Sequence, residues 1–292
     1  MDTIKKYYSI KDAVNRCLEE VESGRDGMSD ILSGYPSLDE LIRGWHPREL
    51  IVLASRPGVG KTAFGLHFAR NAAVDFKIPT VYFSPELGAI ELTKRLMMSE
   101  SGVNALRGSR TMSDEDWRQV ESRLGPLTRA PLFMDDSTET TFEETLERMK
   151  EFITCHGARF FIIDSYHLLF SRREKALQES SEFEAVHRLK SLKSFALEHS
   201  VAIMILTWSG RRLQKRIQRP TLADVDVYCP RAVEYADKIL LLHRPDLTGF
   251  QMTHRERFEI IIAKNKTGEI GSVELIFDGY SLKITEPTDI EL

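Results

Sequence analysis

This sequence predicts an α/β fold: a mostly parallel sheet flanked by helices, with a β-hairpin near its C-terminal end. Three observations carry that expectation. An apolar run, Leu50-Ile51-Val52-Leu53-Ala54, passes through a glycine-containing turn into Ala63-Phe64-Gly65-Leu66-His67-Phe68-Ala69, in the order strand, turn, helix. Further apolar runs alternate with segments of helical period, which implies parallel strands joined by crossover helices. A second buried-strand pattern, Arg159-Phe160-Phe161-Ile162-Ile163, ends on an acid, Asp164.

Taken in order, residues from Ser9 onward place Ile10, Val14, Cys17, Leu18 and Val21 on one helical face, after Ser9 and Asp12 at capping-box spacing and before a stop at Gly24. A charged, glycine-containing stretch to Asp30 follows, so 1–30 reads as an amphipathic helix with a connector and 31–292 as the main domain. The apolar face of that helix has two destinations, its own domain or another subunit. Ser37-Leu38-Asp39-Glu40 predicts an N-cap with Glu40 at the third helical position, opening a short helix that ends near Gly44.

After the first strand, turn and helix, Thr80-Val81-Tyr82-Phe83 reads as a strand that delivers Ser84-Pro85-Glu86 to the carboxyl edge of the sheet, where ligands of open α/β sheets bind. Helices are predicted over 89–101 and 113–124, the second with Ser113 and Asp116 at capping spacing. A short strand at Leu132-Phe133-Met134 precedes a helix over 142–155 with Phe142, Leu146, Met149 and Ile153 on one face. Past Asp164 come a helix over 181–199 and the strand Val201 to Leu206. The hairpin pairs Phe258 to Ala263 with Ser272 to Phe277; Gly268 and Gly271 supply its turn, and Lys264 and Lys266 stand at its base.

With 40 Lys and Arg against 44 Asp and Glu among 292 residues, the net charge is −4, so any surface for nucleic acid must be local. Cys17, Cys155 and Cys229 are far apart and lack C-x-x-C spacing, which argues against a disulfide framework or a zinc site and fits a reducing cytoplasm. The charged N-terminus and the lack of any run near the ~18 apolar residues of a membrane span predict a soluble cytoplasmic protein with no membrane partner.

The chemistry concentrates in Ser55-Arg56-Pro57-Gly58-Val59-Gly60-Lys61-Thr62, which departs from G-x-x-x-x-G-K-[ST] only at Ser55. Small residues there let backbone N–H groups converge on phosphate oxygens. Arg56, Pro57, Gly58, Val59, Gly60, Lys61, Thr62 and Ala63 are thus the candidate nucleotide-binding residues, with Lys61 near the β and γ phosphates and the Thr62 hydroxyl on Mg²⁺. Asp164, at its strand end, is placed to orient that ion or its water ligands. The segment Arg211, Arg212, Lys215, Arg216 and Arg219, dense in cations and without an acid, points to phosphate contacts in an otherwise acidic chain.

Several of these stretches together resemble the C-terminal motor domain of the DnaB family of replicative DNA helicases, hexameric RecA-like P-loop ATPases. The family's A-R-P-x-x-G-K-T loop is similar to Ser55 to Thr62, and its S-L-E-M-S segment to Ser84-Pro85-Glu86-Leu87-Gly88. Its T-D-E-D-W helix entry is similar to Ser113 to Trp117, its I-D-Y-L-Q strand end to Ile163 to His167, and its A-K-x-R-x-G-x-x-G hairpin to Ala263 to Gly271. The resemblance spans about Ile31 to Ile284 and implies ATP and Mg²⁺ as cofactors. It implies that Glu86 polarises the attacking water, that Asp164 supports the metal, and that Lys264 and Lys266 reach the nucleotide of the next subunit. Arg172, Arg173, Arg211, Arg212, Lys215 and Arg216 would line a ring's channel and bind single-stranded DNA through its phosphates. Residues Ser9 to Val21 resemble the linker helix that docks on an adjacent motor.

Departures accompany the match. Lys266 stands where the family has Arg, keeping charge without the bidentate fork; His167 and Trp208 replace two Gln residues, and the R-E-S-G segment becomes Asp226 to Pro230. A counterpart of the family's N-terminal domain, which engages primase, is not expected in this chain. The leading expectation is a DnaB-type helicase or translocase that hydrolyses ATP between subunits of a homo-oligomeric ring, with separate replication proteins as further partners. The alternative is a diverged paralogue acting as loader, regulator or scaffold without unwinding. A small-molecule kinase on the same loop explains neither the extended sheet nor the basic segment and hairpin.

Overall fold

A computed structural model of the chain describes residues 9–11, 14, 15, 18, 27–104, 112–138, 140–166, 182–210, 219–225, 228–245 and 255–287. The elements in order are α1 (Pro36–Ile42), β1 (Leu50–Ser55), α2 (Lys61–Arg70), β2 (Thr80–Phe83), α3 (Ala89–Ser101) and α4 (Asp114–Thr128). They continue with β3 (Leu132–Asp135), α5 (Phe142–His156), β4 (Phe160–Asp164), α6 (Glu182–His199), β5 (Ala202–Trp208) and α7 (Ala232–Tyr235). The last strands are β6 (Lys238–His243), β7 (Arg255–Asn265), β8 (Gly271–Asp278) and β9 (Lys283–Thr285).

These strands make one nine-stranded sheet in the order β3-β2-β4-β5-β1-β6-β7-β8-β9. The first six in that order are parallel, and β7, β8 and β9 add antiparallel neighbours at one side. β1 is central and buried along its whole length, which is why its sequence is a continuous apolar run rather than an alternation. Ile51 and Leu53 face one core with Trp45, Phe64, Phe68, Leu92 and Leu96, so α1, α2 and α3 cover that side. Leu50, Val52 and Ala54 face the other core with Phe142, Met149, Leu189 and Leu192, under α5 and α6. The result is a sheet between two helical layers.

Sequence and structure differ at particular points. Helix α1 starts at Pro36 with Tyr35 as its N-cap, not Ser37. Ser37 instead gives its N–H and hydroxyl to Glu286 Oε1 at 3.0 and 2.9 Å, while Asp39 reaches back to the N–H of Ser33 at 2.8 Å. A partner 249 residues away outcompetes the local cap. Strand β6 carries no periodic signal, because its run begins on a charged, fully buried Lys238. Gly271 is the first residue of β8, not part of the turn. Gly268 does belong to the turn, where a methyl group would stand 2.2 Å from the Leu41 carbonyl oxygen. The capping box of Ser113 and Asp116 forms as expected.

At the N-terminus, Ile10, Val14 and Leu18 are helical and 81, 48 and 54% exposed, so these three are not buried on the chain's own domain. Among the described residues, no helix is long and apolar enough to cross a membrane.

Candidate active site

A cleft of about 760 Å³ lies at the carboxyl ends of β1 and β5 and beside the segment that follows β2. Its floor is the loop between β1 and α2, where Gly58 and Gly60 take φ of 78 and 108°, a backbone that side chains rarely adopt. Gly60 caps α2, so the free N–H groups of the first helical turn, at Lys61, Thr62 and Ala63, open toward the cleft. Arg56 to Ala63, the candidate nucleotide-binding residues, all line it.

Two acids stand at the ends of neighbouring strands, Glu86 on the cleft wall and Asp164 bonded to the cleft's Lys61. Asp164, at the end of β4, is 4% exposed. Its Oδ1 accepts Lys61 Nζ at 3.2 Å and its Oδ2 accepts the Tyr82 hydroxyl at 2.8 Å. Burial, and then the Asp164 charge, push the Tyr82 phenol well above its usual pKa, so it remains a hydrogen-bond donor. Glu86, just beyond β2, is exposed and lines the cleft opposite the loop. The arrangement supplies convergent donors and one lysine for anionic oxygens, a hydroxyl and a fixed carboxylate for a hard cation, and a solvent-facing carboxylate able to orient water.

Sequence reading missed the wall formed by α3. Glu91, Lys94, Arg95 and Met98 fall at helical spacing i, i+3, i+4 and i+7 and all line the cleft, bringing two cations from the side facing Lys61. The spacing was visible, and its position directly after Glu86 was the signal. Arg95 is engaged only loosely within its helix, 3.4 Å from Glu91. The remaining wall is formed by Phe258, Phe277 and Leu282 with Arg244, whose guanidinium lies 5.8 Å from the centre of the Phe258 ring. Trp208 also lines the cleft and packs edge-on against Tyr228, ring centres 5.6 Å apart.

On α2, His67 lines the cleft and its Nδ1 lies 2.9 Å from the Ala63 carbonyl. Burial pushes its pKa down to about 4. The unfolded chain therefore binds the extra proton first as pH falls, and stability declines from about pH 6.5 to about pH 4, by roughly 3 kcal/mol from this residue. Unfolding in urea across that window should show a shallower pH slope for His67→Gln than for the parent; equal slopes would remove His67 as the cause.

Lys264 and Lys266 are placed at the opposite edge of the sheet. Lys264 pairs in register with Ile239, beside the start of β6, and its Nζ donates to the carbonyls of Val233 and Ala236 at 2.6 and 2.5 Å. Lys266 Nζ lies 2.8 Å from Asp237 Oδ1, and the other oxygen of Asp237 accepts the N–H of Leu50, where β1 begins. Burial raises the Asp237 pKa, but the hydrogen bonds from Lys193 and Lys266 outweigh it and leave the group below the usual carboxylate range. The six residues of β1 separate this edge from the phosphate loop, roughly 20 Å at strand rise. His167, Arg172, Arg173, Arg211, Arg212, Lys215 and Arg216 lie outside the described residues. Arg219 closes the basic segment in a fork on Glu259, with Nη2 2.6 Å from Oε1.

Residues 30–286 match the model of the family described as DnaB-like helicase C terminal domain. The chain belongs to that family. It is 31% identical over 295 residues to the replicative DNA helicase DnaB of Leifsonia xyli subsp. xyli (strain CTCB07), a match covering 98% of this chain and 63% of that protein. The replicative DNA helicase DnaB of Geobacillus stearothermophilus is 30% identical over 281 residues, covering 93% and 60%. This chain thus spans about three fifths of the length of these curated relatives. Among solved structures, one described as an ATPase domain superposes with a TM-score of 0.86 at 26% identity, over 97% of this chain and all of that one. A DnaB-like replicative helicase, described with its interactions with primase, gives 0.83 at 26% identity over 97% and 68%. The fold is therefore the RecA-like P-loop ATPase fold of DnaB-like helicase domains, as the sequence predicts.

Proposed function

We propose that this chain is an ATP-driven motor of DnaB type that acts on single-stranded DNA and hydrolyses ATP between subunits of a homo-oligomeric, hexameric ring. One observation supports the reading. Lys61, Thr62 and Glu86 line one cleft and Asp164 is bonded to Lys61, while Lys264 and Lys266 stand at the far edge of the same sheet, so these two lysines would meet a nucleotide only in a second copy.

Phosphoryl transfer is catalysed mainly by positioning and charge stabilisation. Incoming phosphate oxygens would take Lys61 from Asp164, and the N–H groups of the α2 terminus would hold them. Asp164 has one donor on each oxygen and lone pairs to spare, and with the Thr62 hydroxyl it offers the oxygen donors that suit Mg²⁺. Held there, such an ion would supply positive charge against the phosphate oxygens. Glu86 would accept a hydrogen bond from the attacking water, and Lys264 and Lys266 of the neighbouring copy would face the terminal phosphate. Arg172, Arg173, Arg211, Arg212, Lys215 and Arg216 would bind DNA phosphates. The exposed Ile10, Val14 and Leu18 would dock as a linker helix on the adjacent motor. Separate replication proteins, primase-like ones included, would be further partners.

The second reading, an ATP-binding paralogue that loads, regulates or scaffolds without unwinding, is favoured by Trp208, whose indole can only donate a hydrogen bond. ATP turnover with and without single-stranded DNA separates them: stimulation by DNA that vanishes in Lys61→Ala supports the motor, and binding without turnover supports the paralogue. Neutralising Arg211, Arg212, Lys215 and Arg216 together should flatten the log–log salt dependence of DNA affinity by roughly one unit per lost phosphate contact. An unchanged slope would take that segment off the DNA surface.

A further inference from the structure

Four lysines gather at the N-terminal edge of the parallel strands, and they are held to different degrees. Lys238 is fully buried against Glu49 and Thr267. Lys264 caps carbonyls at the end of α7. Lys193 and Lys266 share one carboxylate, with Lys193 Nζ 2.6 Å from Asp237 Oδ2 and Lys266 Nζ 2.8 Å from Oδ1. The Asp237 carbonyl also accepts the Lys266 N–H at 3.1 Å, so one residue holds Lys266 at two points.

The two partners differ in freedom. The Asp237 side chain is 7% exposed and that of Lys266 is 50% exposed. When Lys266 leaves, Asp237 keeps Lys193 and the Leu50 N–H, so no buried charge is stranded. The turn that carries Lys266 is itself pinned: Thr267 Oγ1 donates to Glu49 at 3.0 Å, and the Glu269 N–H and Asn265 Nδ2 both reach the Leu41 carbonyl, at 2.9 and 3.1 Å. Movement is thereby confined to the Lys266 side chain. Crowding favours its departure, since Lys193, Lys264 and Lys266 surround one acid and repel one another. An anion brought to this edge relieves that repulsion.

We propose that Asp237 is a positioning residue, which keeps Lys266 poised at the sheet edge and releases it to the phosphate oxygens of a nucleotide held by a second copy of this chain. The proposal rests on the between-subunit site described under the proposed function. Two readouts test it in the full chain: ATP turnover, and the protein concentration giving half-maximal ATP-dependent self-association by sedimentation. Lys266→Ala should lower kcat and raise that concentration about tenfold each, with KM for ATP little moved. Asp237→Asn should do the same and add nothing in the double variant, because both changes remove one element.

Should Asp237→Asn fold poorly, the pair Asp237→Asn with Lys193→Met removes an acid and a base together and leaves an oxygen for the Leu50 N–H; it should show the same fall. Effects of Asp237→Asn that multiply with those of Lys266→Ala would overturn the positioning role and leave the between-subunit site standing. A silent Lys266→Ala, or a parent protein with neither turnover nor ATP-dependent association, would overturn both.

Discussion

Glu86→Gln is expected to keep its affinity for ATP within about threefold while losing at least a hundredfold in turnover, the size of effect associated with a positioned base. The separation follows from where the groups sit. Affinity comes from the loop, from Lys61 and from the free N–H groups at the start of α2, none of which Glu86 touches in its hydrogen bonding, whereas its carboxylate faces the cleft from beyond β2. Gln keeps the size and a carbonyl oxygen but loses the charge that draws a proton from water. Single-turnover kinetics alongside equilibrium binding of a fluorescent ATP analogue would check both halves. Turnover within threefold of the parent would remove Glu86 from the chemistry and shift attention to Asp164.

The second large effect concerns stability. Glu49→Ala should cost about 3–5 kcal/mol, because it leaves the ammonium of Lys238 buried without its counter-charge. Lys238 is 0% and Glu49 6% exposed at the side chain, with Nζ 2.6 Å from Oε1. Burial lowers the Lys238 pKa and Glu49 opposes that shift, so removing the acid favours a neutral lysine at the start of β6. Replacing both, with Glu49→Leu and Lys238→Met, should recover most of the loss, since a well-packed apolar pair avoids desolvating two charges. Urea midpoints of the three variants decide the matter. A cost below about 1 kcal/mol for Glu49→Ala would mean that water reaches Lys238.

What the sequence disclosed, and what it withheld, follows from the range of the interactions. β1 and its loop were legible because a strand buried on both faces is apolar throughout and because the turn needs small residues at fixed positions. Asp164 was legible because a strand's end is written in its own composition. The Ser113 cap was legible because its partner is three residues away. The start of α1 was not, because Glu286 arrives from the other end of the chain. Nor was β6, whose first residue is a lysine made tolerable by a carboxylate 189 positions earlier. The same holds at the site. Lys61, Thr62 and Glu86 stand in local motifs and line one cleft, with Asp164 bonded to Lys61, whereas the α3 cations Lys94 and Arg95 sit in plain helical spacing with no motif to mark them. That Lys266 would be tied to Asp237 could be learned only from the folded sheet.

The placement of phosphate loop and hairpin lysines at opposite edges of one sheet has a genetic consequence under the proposed ring. Each chain then contributes one half to each of two sites, and no site belongs to a single polypeptide. Defects at the two edges would complement rather than accumulate: a chain damaged at Glu86 still lends its neighbour an intact Lys266, and a chain damaged at Lys266 still offers an intact cleft. Mixed rings of two individually inert chains would contain competent sites at some of their junctions.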